Sequence, residues 1–96
     1  VVEGRARVLD HVSQMPELRE GEILVVYATS PDWAPVFVSL KGIVTDSGGV
    51  MSHAAIVARE YDIPCVVGTG NATRIIKTGN LIKIDGEKGI VEILED

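Results

Sequence analysis

Among 96 residues the chain has one cysteine, two histidines and only four aromatic side chains. The single Cys65 excludes an internal disulfide. His11, His53 and Cys65 lie too far apart in sequence to make a good metal-ligand set, so no metal is expected. Basic residues are the minority, 9 Lys and Arg against 14 Asp and Glu, and the net charge of -5 repels nucleic acid and anionic lipid. There is no apolar run of the roughly 18 residues a membrane span needs and no signal-peptide pattern. No G-x-S-x-G elbow, Walker A loop or G-x-G-x-x-G occurs, which leaves hydrolase and nucleotide-binding readings without an anchor. The expected setting is soluble and cytoplasmic, with neither nucleic acid nor membrane as partner. Val1 stands where an initiator methionine is expected, which is compatible with a processed chain, a piece of a larger protein or a separate subunit.

What is present is a 46% hydrophobic content in a length typical of one domain, enough to bury a core without staples. Glycine and proline fall singly between short apolar runs, as turn punctuation does, and no internal boundary or repeat interrupts residues 1–96. Gly4 to Leu9 alternates as a half-buried strand does, and Ile23 to Tyr27 is a continuous run of the fully buried kind. A polar loop with Pro16 and Gly21 joins them. Asp32 to Leu40 has helix-compatible spacing of Trp33, Val36, Phe37 and Leu40, limited in its first turn by Pro35. Gly42 to Thr45 reads as a buried strand, and alanine-rich 52–60 reads as a helix capped by Ser52 and starting at His53. Cys65 to Val67 is a further short strand. Leu81 to Ile84 and Ile90 to Leu94 form a terminal hairpin across Asp85-Gly86-Glu87-Lys88-Gly89. The fold class is α/β, a mixed sheet with covering helices; strand order does not follow from the pattern.

The segment TDSGGVMSHAAIVARE, residues 45–60, carries the chemistry, because a buried strand ends there in a glycine loop and a histidine opens a helix. Imidazole nitrogen is a good phosphoryl acceptor near neutral pH, since an ordinary pKa of about 6.5 leaves much of it uncharged. A helix N-terminus disfavours imidazolium before transfer and favours a dianionic phosphoryl group after it. Gly48 and Gly49 are expected to supply positive φ and an open approach to backbone amides. Thr45, Ser47 and Ser52 offer hydroxyls to the phosphoryl oxygens or the imidazole, with Thr45 and Ser52 ranked above Ser47. From the residues alone, a histidine that merely caps or packs is an equally good reading of His53. His11 reads as a surface residue and Cys65 as a buried inert thiol. Arg59 and Glu60 read as surface ion-pair partners. Arg59 lies about 240° around the helix from His53 and is not expected to reach a phosphoryl group from there. For Asp46, cap or turn duty outweighs cation binding.

Residues 45–70, TDSGGVMSHAAIVAREYDIPCVVGTG, resemble the signature of the phosphohistidine swivelling domain of phosphoenolpyruvate-utilising enzymes. That family includes phosphoenolpyruvate synthase, pyruvate phosphate dikinase, the first enzyme of the sugar phosphotransferase system and rifampicin phosphotransferase. The similarity rests on the T-D-x-G-G-x-x-S-H core, the alanine-rich helix with its arginine, and the I-P-x-V-V-G strand. It extends more weakly through TSPDWAP at 29–35 and GNLIKIDGEKGIVEIL at 79–94. The chain departs from the pattern at Val50-Met51, where several members carry a polar residue such as threonine.

The resemblance implies a swivelling β/β/α domain in which His53 is transiently phosphorylated, with Thr45, Gly48, Gly49 and Ser52 in support. It implies that the phosphoryl group travels between an ATP-grasp domain and a barrel that binds pyruvate or phosphoenolpyruvate with magnesium, or passes to a small phosphocarrier. ATP and Mg2+ then belong to those partner domains, and this domain itself binds no cofactor. Catalysis by the isolated domain is not expected. A free-standing phosphocarrier, and a binding or regulatory module that keeps the fold without phosphorylation, remain alternatives.

Overall fold

The computed structural model describes residues 1–95. Its elements are strand β1 (Val2–Val8), a 3-10 helix (Val12–Glu17), β2 (Ile23–Val26), a second 3-10 helix (Pro31–Ser39), β3 (Gly42–Thr45), helix α1 (His53–Glu60), β4 (Cys65–Val66), helix α2 (Ala72–Ile75), β5 (Leu81–Asp85) and β6 (Ile90–Glu95). The six strands form one mixed sheet in the order β4-β3-β2-β1-β5-β6. Strands β1 to β4 run parallel, whereas β5 and β6 join antiparallel.

The uninterrupted run Ile23-Leu24-Val25-Val26 is explained by burial on both faces of the sheet. Ile23 and Val25 join one core with Val44, Val66, Ile82 and Ile84, while Leu24 and Val26 join another with Trp33, Phe37, Ile43, Ala54 and Ala58. Alternate residues therefore face opposite layers, which pins the register of the central strand. The sheet curls into a half-barrel that brings the β5-β6 turn onto β4. A Cβ at Gly86 would sit 3.1 Å from the Cys65 amide nitrogen, and one at Gly42 would fall 2.5 Å from the Ile84 side chain. Glycine at these two points allows the closure.

Three elements differ from the expectations of the sequence. Residues 31–39 form a 3-10 helix and not an α-helix. Pro35 has no N–H and its ring opposes the carbonyl four residues earlier, so the tighter winding survives where the α form does not. It still buries Trp33 and Phe37. The polar loop after β1 contains a 3-10 helix, started by His11 as N-cap. The four-residue α2 was not anticipated; Thr69 Oγ1 accepts from its Ala72 N–H, and Asp46, 27 positions before Thr73, accepts from the Thr73 N–H. Strand limits shift by a residue or two at their ends. No helix among the described residues is long and apolar enough to cross a membrane.

Candidate functional site

The carboxyl ends of parallel β2, β3 and β4 release three loops at one rim of the sheet, the usual place for a site in such architectures. His53 is the first residue of α1 at that rim and is half-buried. Ser52 caps the helix: its backbone is extended, and its Oγ accepts from the Ala55 N–H at 3.4 Å. Because Ser52 takes this duty, the His53 ring is released from it. The ring leans on Phe37, with centroids 6.0 Å apart, and its Nδ1 lies 2.8 Å from Thr29 Oγ1. Thr29, from the loop after β2, was missed as a site residue. The signal was available, since it opens the TSPDWAP segment that resembles the family.

The preceding loop is held from several sides. Gly48 has φ +100°, and a Cβ there would lie 2.8 Å from Ser52 Cβ, so both conformation and space require glycine. Gly49 differs from expectation. Its φ is not positive and nothing lies within 4 Å of a Cβ built on it, so its contribution is open space and not backbone freedom. Gly68 adopts φ +72° with its Cβ position 2.8 Å from the Gly48 carbonyl, so the loop after β4 packs directly beneath the glycine loop. The Ser47 N–H and hydroxyl both donate to the Tyr27 carbonyl, and Gly68 N–H donates to the Ser47 carbonyl. The N–H groups of Gly48, Gly49, Val50 and Met51 have no acceptor among the described residues. Four unpaired amides next to a helix N-terminus suit an anion.

The structure gives several predicted residues other tasks. Thr45 is buried, and its hydroxyl donates to the Ser47 carbonyl at 2.7 Å, bracing the loop instead of facing the imidazole. Asp46 accepts from both the N–H and hydroxyl of Thr73, at 2.9 and 2.5 Å, so turn and cap duty is its place. Arg59 makes no ion pair with Glu60; its Nη2 donates to the Val50 carbonyl at 3.1 Å. His11 is an exposed cap whose Nδ1 accepts from Ser13 N–H. Cys65 is half-buried on β4, and burial pushes its thiol up to about 11, against the opposing influence of Arg59. No three His, Cys, Asp or Glu side chains among the described residues gather as metal ligands would. A groove of about 610 Å³ runs between α1, β4 and the β5-β6 turn, and His53 does not line it. The ring of His53 lies outside that groove, half-buried between Phe37 and Thr29.

Residues 18–89 match the family model described as "PEP-utilising enzyme, mobile domain". The chain is 51% identical over 94 residues to a rifampicin phosphotransferase of Bacillus cereus, with 98% of this chain and 11% of that protein covered. It is 53% identical over 94 residues to a phosphoenolpyruvate synthase of Aquifex aeolicus, covering 95% of this chain and 11% of that protein. It is also 53% identical over 91 residues to the chondramide synthase cmdD of Chondromyces crocatus, covering 95% of this chain and 2% of the synthase. The chain thus spans about a tenth of the length of the first two and far less of the third. An NMR structure titled as Enzyme I (nEIt) superposes with a TM-score of 0.71 at 38% identity, over 83% of this chain and 33% of that one. With the family model covering most of its length and these relatives close to half identical, the chain belongs to the mobile-domain family of PEP-utilising enzymes.

Proposed function

We propose that this domain carries a phosphoryl group on Nε2 of His53 between two sites located on other parts of a longer protein. The observation that carries the reading is the 2.8 Å contact of Thr29 Oγ1 with Nδ1 at the first residue of α1. With Nδ1–H donating to the threonine oxygen, the neutral ring keeps its lone pair on Nε2. That lone pair attacks phosphorus in line, the N–P bond forms as the bond to the leaving oxygen breaks, and the electron pair departs with the leaving group. The ring is then a phosphorylated imidazolium whose Nδ1–H stays bonded to Thr29. The unpaired amides of Gly48 to Met51 and the helix N-terminus stabilise the phosphoryl oxygens. Transfer to the acceptor reverses these steps. Positioning and charge stabilisation supply the catalysis, with no acid–base pair on this chain.

The donor and acceptor belong to partner domains. By resemblance these are an ATP-grasp nucleotide site and a barrel binding pyruvate or phosphoenolpyruvate, with ATP and Mg2+ held there, in a cytoplasmic enzyme. The short share of each relative that the chain spans supports an embedded domain over a free carrier. The second reading is a module that keeps the fold without phosphorylation. One experiment separates the two. The full-length protein is incubated with 32P-labelled phosphoenolpyruvate, and acid-labile label is counted in the native and His53→Ala forms. Label in the native protein and none in the variant is expected. Equal label in both contradicts the proposal, and no label in either supports the inert module.

A further inference from the structure

We propose that Arg59 is a positioning residue, which holds the Val50 carbonyl and so presents the Met51 N–H to the phosphoryl group; the inference rests on the phosphohistidine reading of His53. Arg59 sits in the last turn of α1, and helical side chains lean toward the helix N-terminus, so the guanidinium reaches back along the helix to the glycine loop. Its Nη2 donates to the Val50 carbonyl at 3.1 Å, nine positions away in sequence. Both ion pairs among the described residues, Arg5–Glu95 and Arg7–Glu22, leave Arg59 out.

The rest of the loop is tethered elsewhere. Ser47 is tied to Tyr27, Gly48 lies against Gly68, and Ser52 N–H donates to the Gly49 carbonyl. That last bond closes a turn around Val50 and Met51 without engaging the Val50 carbonyl or the Met51 N–H. Arg59 is the one recorded partner of that carbonyl among the described residues. No peptide bond among the described residues is cis, so the Val50 carbonyl and the Met51 N–H are opposite ends of one rigid trans unit. Fixing one end aims the other. A charged donor on the carbonyl also polarises the peptide and makes its N–H a stronger donor to an anion. Arg59 therefore acts on the reaction without touching the reacting atoms, from a position that its helical angle to His53 had seemed to disqualify.

The test uses the 96-residue chain with phosphoramidate, a small donor that phosphorylates histidine without partner domains, and follows phosphohistidine at His53 and His11 by phosphorus NMR. Arg59→Gln is expected to slow labelling of His53 about tenfold while leaving His11 unchanged, and to lower the 1H–15N heteronuclear NOE of Val50 and Met51 while leaving amide hydrogen exchange in β2 and β3 as it is in the native chain. Arg59→Lys, which keeps a charged donor, is expected to recover at least a third of the native rate. The proposal is overturned if Arg59→Gln labels His53 at the native rate, if it slows both histidines equally, or if exchange rises throughout the sheet. A native chain in which His53 labels no faster than His11 would instead defeat the phosphohistidine reading, and the clamp with it.

Discussion

His11 and His53 each stand at the start of a helical segment, and each holds a hydroxyl near Nδ1, Ser13 at 2.9 Å and Thr29 at 2.8 Å. The resemblance ends with the backbone. His11 is itself the N-cap, so its Nδ1 accepts from Ser13 N–H and must be unprotonated; in the neutral ring the proton then sits on Nε2. At His53 the cap is the preceding Ser52, which leaves Nδ1 to a partner that can accept, and Nε2 without a hydrogen-bond partner among the described residues. His11 is followed by a two-turn 3-10 helix with no glycine loop before it, whereas His53 follows four amides without acceptors among the described residues. Under the proposed function, what separates the capping His11 from the phosphoryl-carrying His53 is the residue assigned to cap the helix and the loop that precedes it.

The contrast is broken most severely by removing the rings in turn. His53→Ala is expected to abolish acid-labile labelling of the full-length protein, and His11→Ala to leave it within about twofold while costing about 1 kcal/mol of stability through the lost cap, seen in denaturant unfolding. Next in size is Gly48→Ala. A side chain at φ +100° that also meets Ser52 at 2.8 Å is expected to cost about 1 to 2 kcal/mol and to slow His53 labelling at least tenfold. Gly49→Ala is the control, with a stability change under about 0.5 kcal/mol in the same unfolding experiment, because its Cβ position is open.

Thr29→Val sharpens the comparison further, since it preserves shape and removes the acceptor for Nδ1–H. Labelling of His53 should fall about tenfold, equivalent to about 1.4 kcal/mol, and phosphorus NMR should show phosphate on both ring nitrogens instead of Nε2 alone. Thr29→Ser should behave as native. The smallest effect concerns the third side chain with nucleophilic chemistry, Cys65. Its thiol, raised to about 11 from an ordinary 9.0, keeps its proton longer in the folded than in the unfolded chain. Its contribution to stability is therefore complete below about pH 9 and lost as pH rises from 9 toward 11. Cys65→Ala should flatten that decline in urea unfolding and leave phosphoryl transfer unchanged.

Much of this was legible in the residues. The run from Ile23 announced a fully buried strand, and Ser52 followed by an alanine-rich stretch placed the start of α1 at His53. The sequence pattern carried less where the physics is nonlocal. Thr29 stands 24 positions from the ring it touches, and Thr73 of α2 donates to a carboxylate 27 positions away, so neither contact leaves a periodic trace. Arg59 was read from its angle on the helix, which neglects the length of its side chain and the lean toward the N-terminus. Thr45 was read as a ligand because a hydroxyl beside a glycine loop suits one. Its burial at the end of β3 and its bond to Ser47 turn it into a brace. The strand order required the curl of the sheet, which glycine at 42 and 86 permits but does not dictate.

The division of labour between the two histidines is tested most directly by a long-range 1H–15N correlation spectrum of the 15N-labelled chain, at a pH where both rings are neutral. The account predicts opposite tautomers, with the proton on Nδ1 of His53 and on Nε2 of His11. A proton on Nε2 of His53 would mean that its lone pair faces Thr29 and not a donor, and would contradict the account.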